Sequence, residues 1–331
     1  MNLAYMPLSG QPDRLCDLIA AGISDEYLKR DAESRVRLSV SGGHGALFVC
    51  GEVVSAADFD VTHLVQRLLG QHCIHEGVEP FISIEAADSS QVGWLREKCP
   101  RPVVGFGYAT HESKTGLPRV AHAARLVARL LSDKRLDDPD WFWLGAAGSV
   151  SAEELSGRLW VNVTVDGGNR PVESIRDSVQ GLCAIWPELT EARLETNPLG
   201  ASIQAGLKTS FGQSGIALQP YGRALPAVFN AAGSDWHDGR FLADALARQT
   251  ALRLVRKGSR AAFVRLRYDA GERRPSGIWA RDEAGRDLSQ ATKELIVDLD
   301  QLSQEWRRPG LMTEAVRCLM VGNEVLPWEN A

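Results

Sequence analysis

The feature that most limits this chain is an alternation of helical and strand-like segments that starts near residue 11 and recurs. Over 11–30, Leu15, Leu18, Ile19, Ile23 and Tyr27 fall at steps of three and four, the apolar stripe of one helix face. Segments 35–40 and 46–54 have strand character, and Ser41-Gly42-Gly43-His44-Gly45 between them predicts a glycine-rich hairpin turn. Helical spacing returns over 61–73 through Leu64, Val65, Leu68 and Leu69, and Phe81-Ile82-Ser83-Ile84 predicts a short strand. Helix, hairpin, helix and strand make an α+β unit with helices on one face of a sheet.

The order recurs in outline. Segments 121–131 and 172–185 read as helices around a strand at 159–165; later, helices at 242–257 and 288–306 flank strands at 261–268 and 278–281. At ~150 residues per domain, 331 residues make two domains or three small ones, and the recurring pattern favours three similar α+β units over one doubly wound sheet. Breaks are expected at Lys98-Cys99-Pro100-Arg101-Pro102 and in the turn-rich 197–215, giving units 1–97, 98–200 and 201–331.

Composition excludes several functions. Lys plus Arg is 37 against 42 Asp plus Glu, a net charge of −5, which leaves no basic surplus for nucleic acid or an anionic membrane. No run approaches the ~18 apolar residues of a membrane span. The first seven residues have neither a charged nor an apolar leader region. Six scattered cysteines without C-x-x-C spacing suit a reducing compartment, so the expectation is a cytoplasmic protein.

Several stretches, in order and over nearly the whole chain, resemble the S-adenosylmethionine synthetase (methionine adenosyltransferase) family. Ser9-Gly10-Gln11-Pro12-Asp13-Arg14 resembles its E-G-H-P-D-K, and Ser34-Arg35-Val36 with Gly51-Glu52-Val53 its A-R-V and G-E-I. Phe106-Gly107-Tyr108-Ala109-Thr110 is close to F-G-Y-A-T, Asn197-Pro198-Leu199-Gly200 to N-P-x-G, and Leu326-Pro327-Trp328-Glu329 to F-P-W-E. The resemblance implies three α+β subdomains with pseudo-threefold symmetry. It also implies a dimer whose flat sheets face each other, with active sites between subunits.

That family joins methionine sulfur to C5′ of ATP and hydrolyses the expelled triphosphate, which demands Lys, Arg and Mg²⁺ around about four negative charges. The carried-over set is thin. The catalytic histidine becomes Gln11, a donor without charge. Asp13 keeps the Mg²⁺ aspartate, Arg14 replaces the lysine, and Glu52 matches the glutamate that receives the methionine ammonium. The monovalent-cation glutamate aligns with Ser39. In the later G-D-x-G-L-T-G-R-K run the aspartate becomes Ser210 and the Arg-Lys pair Ile216-Ala217, with Lys208 nearby. The phosphate loop corresponds loosely to Asn230 through Asp238. Losing one charged contact to a transferring phosphoryl group costs about 10²–10³ in rate.

Candidate residues are therefore Gln11, Arg14 and Lys208 for catalysis, Glu52 for substrate and Asp13 for Mg²⁺. Asp13 also fits a simple helix-start role. The expectation is a divergent member without triphosphate chemistry, a non-catalytic or regulatory ligand binder that forms a homodimer or a heteromer with a genuine synthetase. The alternatives are a repurposed enzyme acting on an amino acid, nucleoside or S-adenosylmethionine-like molecule, and a working adenosyltransferase. His72-Cys73-Ile74-His75-Glu76 reads as a solvated helix end.

Overall fold

The first helix, α1 (Pro12–Arg30), begins where the sequence asks for it. The Gln11 side-chain oxygen accepts from the Arg14 amide at 3.1 Å, Pro12 fills the first turn, and Asp13 and Lys29-Arg30 sit at the ends that suit the helix dipole. The computed structural model describes residues 2–72, 77–87, 99, 101–200, 220–225 and 232–330. Among these, α1 is buried nearly all round, including Asp13, Arg14, Asp17, Ser24 and Asp25. Such polar burial needs partners: the Asp25 carboxylate accepts the Thr313 and Met312 amides at 2.7 and 3.2 Å, capping the helix α8 (Leu311–Arg317) from outside it.

Ten described strands form three sheets. In the first, β2 (Arg35–Gly43) and β3 (Ala46–Val54) are antiparallel, and α2 (Val61–Gln71) crosses over to β4 (Glu79–Ala86), parallel to β3. The hairpin turn is tighter than the five residues predicted. His44 and Gly45, with φ of 51° and 86°, carry it alone in the type I′ form that suits strand twist. Val36, Leu38, Val40, Leu47 and Val49 point inward against Leu15, Ile19 and Ile23 of α1 and Leu64 and Val65 of α2.

The second sheet repeats this motif. β6 (Gly148–Leu155) and β7 (Arg158–Val165) form a hairpin, and α4 (Val172–Ala184) leads to β8 (Arg193–Thr196), parallel to β7. Its fourth strand, β1 (Asn2–Pro7), comes from the start of the chain and pairs with β6. Helix α3 (Arg119–Asp137) packs on β1 and β6. The third sheet has the order β10 (Gly277–Asp282), β9 (Ala261–Tyr268), β5 (Val103–Thr110), covered by α5 (Gly239–Arg256).

Two short helices, α6 (Ser289–Lys293) and α7 (Leu299–Trp306), replace the single helix expected over 288–306. The intervening Ile296-Val297 is β-branched, and the Asp298 carboxylate restarts the helix by accepting the Asp300 amide at 2.8 Å. The architecture is α+β: three sheets, each covered by helices on one side and open on the other. No described helix is long and apolar enough to cross a membrane.

Candidate functional site

A cleft of about 760 Å³ opens where the edge of β2, the start of β5 and the segment 232–240 meet. That segment is held on the free edge of β2. The Leu38 amide donates to the Gly233 carbonyl at 2.9 Å, and the Val36 amide donates to the Asp235 carboxylate at 2.8 Å. Asp235 also accepts the His237 amide at 2.7 Å and lies 3.6 Å from the buried Arg35 guanidinium. Asp238 then caps α5, accepting from the Arg240 amide at 2.8 Å and the Phe241 amide at 3.3 Å. The loop between sheet and helix is thereby fixed by its own acids.

Four arginines line the cleft: Arg35 and Arg37 from β2, Arg101 before β5, and Arg240 in the first turn of α5. Against them stand Asp235 and Asp238. Ser39, Cys50 and Gly51 complete the β2–β3 wall. Guanidinium forks are suited to carboxylate and phosphate. Sequence reading did not assemble this group, since its members lie far apart in the chain. The available signal was Arg35-Val36-Arg37, whose spacing of two on a strand puts both guanidinium groups on one face.

The expected residues are distributed differently. Glu52 is half-buried on β3, in register with Arg37 of β2 and Glu85 of β4, one residue beyond the cleft-lining Gly51. Gln11, Asp13 and Arg14 do not line the cleft. The segment before them docks on the start of β6, where the Gly10 amide donates to the Ala146 carbonyl at 2.9 Å. A Cβ at Gly10 would lie 2.3 Å from that of Ala146. Arg14 is 3 % exposed, donates to the Val316 carbonyl and lies 4.0 Å from Asp17. Burial pulls its pKa down, while Asp17 pulls the other way. Lys208, with Ser210 and Ile216-Ala217, lies outside the described residues, as do Cys73, His75 and Glu76. His72 remains half-buried at the end of α2, its pKa lowered to about 4, first by burial and then by Arg135.

Mg²⁺ often takes one or two protein carboxylates and completes its shell with water and phosphate, so the described residues of one chain supply only part of such a site. No three His, Cys, Asp or Glu side chains among them gather to hold a metal, and Asp13 supplies one carboxylate.

Other matched motifs serve the framework. The Asn197 side chain pairs with both backbone groups of Val165 at 2.9 Å, extending the sheet past β8. Trp328 is fully buried and donates to the Met320 carbonyl at 2.6 Å. Beneath the cleft wall, the buried Asp244 carboxylate accepts the Phe106 amide at 2.8 Å on the free edge of β5. Burial pushes its pKa up to about 7.

A carboxyl harder to ionise in the folded chain than in the unfolded one favours folding fully below its unfolded pKa. That contribution is lost as pH rises through about 4 to 7. Asp244→Asn keeps an acceptor for Phe106 but cannot ionise. Wild type should therefore lose stability relative to this variant over that range, by at most about 1.4 kcal/mol per pH unit. Denaturant melts of both proteins from pH 4 to 8 check this; parallel pH curves would remove the assigned role.

Comparison with known proteins supplies the family context. Residues 7–78 match the family described as S-adenosylmethionine synthetase, N-terminal domain. S-adenosylmethionine synthase 1 of Rhodospirillum rubrum is 24 % identical over 309 residues, covering 81 % of this chain and 77 % of the relative. The S-adenosylmethionine synthase of Methylobacterium nodulans is 27 % identical over 312 residues, covering 82 % and 77 %. A solved structure titled an unusual S-adenosylmethionine synthetase from Campylobacter jejuni superposes with a TM-score of 0.85. At 19 % identity it covers 99 % of this chain and 97 % of that one, and the two share their fold.

Proposed function

We propose, from its place as a divergent member of the S-adenosylmethionine synthetase family, that the chain is a ligand-binding, non-catalytic or regulatory subunit that has given up adenosyl transfer. The observation that carries this reading is the employment of Gln11 and Arg14. The Gln11 side-chain oxygen caps α1, and the buried Arg14 guanidinium donates to the Val316 carbonyl with Asp17 4.0 Å away, so both are engaged in the packing of the helix start. The ligand belongs in the arginine-lined cleft, whose charge suits a small molecule bearing a carboxylate or phosphate. Glu52, beside the cleft, would receive an ammonium group. Any Mg²⁺ would come with a phosphorylated ligand that supplies part of its coordination.

The chain acts as a homodimer or with a genuine synthetase. Support comes from the open sheet faces: Phe48 and Phe81 stack at 5.1 Å on one, each about half exposed, and Trp279 lies between Arg265 and Arg281 on another. Light scattering alone and with an added synthetase tests the assembly; a lone monomer in both would sink it.

With ATP, methionine, Mg²⁺ and K⁺, the chain should form S-adenosylmethionine at least about a thousandfold more slowly than an active synthetase, given the single-contact losses involved. A coupled phosphate assay reads this directly, and brisk magnesium-dependent turnover defeats the reading. Arg37→Ala and Arg240→Ala should abolish any thermal shift produced by methionine, whose carboxylate the cleft arginines would hold. The repurposed enzyme is the second reading, favoured by the juxtaposition of Glu52 with the cleft. Conversion of a bound ligand without triphosphate release would select it.

A further inference from the structure

A second pocket, about 500 Å³ and separate from the arginine-lined cleft, lies between the 3₁₀ turn Pro139–Trp141 and the loop that leads into α4. Its walls are Trp141, Phe142, Trp143, Arg170 and Ser178, with Pro139 and Asp140 completing them. Trp141 and Trp143 stack with ring centroids 5.2 Å apart, and the Arg170 guanidinium lies 4.6 Å over the Trp143 ring. Phe142 is 74 % exposed, so hydrophobic burial within the chain does not account for it.

Both walls are built firmly. The Asp138 carboxylate accepts the Asp140 amide at 3.0 Å, the Leu144 amide donates to Trp141 at 2.9 Å, and Leu144 is buried. Opposite, the Asp166 carboxylate accepts the Gly168 amide at 2.9 Å, and the Arg170 amide closes a turn onto Gly167 at 3.2 Å. The Asp166 carbonyl accepts the Gly145 amide at 2.8 Å and ties the two walls together. The backbone that carries the aromatic rings and Arg170 is thus fixed before any ligand arrives.

We infer that this pocket binds a nucleotide-class ligand, one planar heterocycle carrying a phosphate. The tryptophan and phenylalanine rings offer stacking surface, and Arg170 extends that surface while supplying positive charge for the anion. Asp140 and Ser178 add acceptors for ring amines. The guanidinium over Trp143 disfavours a cationic ligand. The volume holds one base, and the net charge of −5 disfavours a long strand, so the source is a free nucleotide.

The test titrates the full chain with adenosine 5′-monophosphate, adenosine and a ten-nucleotide single strand, by calorimetry and by the indole N–H resonances. Adenosine 5′-monophosphate should shift the signals of Trp141 and Trp143 and bind about tenfold more tightly than adenosine, the value of a charge-assisted contact. Arg170→Ala should erase that difference. Phe142→Ala, at an exposed position, should weaken both by roughly fivefold or more through lost stacking. The inference is overturned if binding is indifferent to Arg170→Ala and Phe142→Ala, if adenosine 5′-monophosphate leaves the Trp141 and Trp143 signals unmoved, or if the strand binds far more tightly than the mononucleotide.

Discussion

Glu329→Ala should lower the free energy of unfolding by about 3–5 kcal/mol, the usual cost of breaking a buried ion pair from one side. Its partner, Arg248 on α5, is fully buried, and all five of its donors are used. Nε and Nη2 donate to the two Glu329 oxygens at 2.7 and 2.9 Å. Nη1 donates to the carbonyls of Tyr108 and Gly116 at 2.5 and 3.0 Å, and Nη2 to that of Thr115 at 2.7 Å. Burial alone would discourage the charged guanidinium; Glu329 overrides it and holds Arg248 above its ordinary pKa. Without Glu329 the cation stays in the core, and the loop after β5 and the end of the chain lose their shared anchor. Glu329→Gln, which keeps an acceptor without charge, should fall between. Urea melts decide it: a loss under about 1 kcal/mol for the alanine variant would place the pair among those that contribute little.

Gly107→Val is the second large effect, at about 3 kcal/mol or more, the upper end for overpacking. β5 lies so close to α5 that a Cβ on Gly107 would sit 2.1 Å from the Ala247 carbonyl carbon and 2.4 Å from the Arg248 nitrogen. Gly105 meets Ala243 in the same way at 2.4 Å. These are backbone atoms of a helix buried on nearly every side, so the clash cannot be relieved by a rotamer change. Gly181 in α4, with nothing within 4 Å of its would-be Cβ, is the control. Gly181→Ala should stabilise by up to about 1 kcal/mol through helix propensity. Equal melting temperatures for the two variants would refute the close-approach account.

Much of this architecture is legible in residue order. Helix α1 announces itself through Leu15, Leu18, Ile19, Ile23 and Tyr27, and the β2–β3 hairpin through glycines around His44. In the F-G-Y stretch, Gly107 lies beneath Ala247 and Tyr108 is buried against Phe263 at 4.6 Å. Strands β1, β6 and β8 are harder to see. In β6 the inward positions include Gly148, Val150 and Ala152 and the outward ones Ser149, Ser151 and Glu153, a weak alternation among small residues. β8 has only four residues. The candidate site was legible only in part, since Glu52 follows from a local motif. The arginines of the cleft meet only because the 232–240 segment is bonded to the edge of β2, a long-range pairing that no local pattern encodes.

The first strand completes a sheet made from the middle of the chain, and β5 completes one made near its end. On a ribosome the segment Asn2–Pro7 must therefore wait until the β6 segment, beginning at Gly148, has emerged before it finds its place. The β5 segment waits in turn for β9. The first two thirds of the polypeptide are each held hostage by the one that follows, so proteolytic pieces cut between thirds should carry raw sheet edges and precipitate.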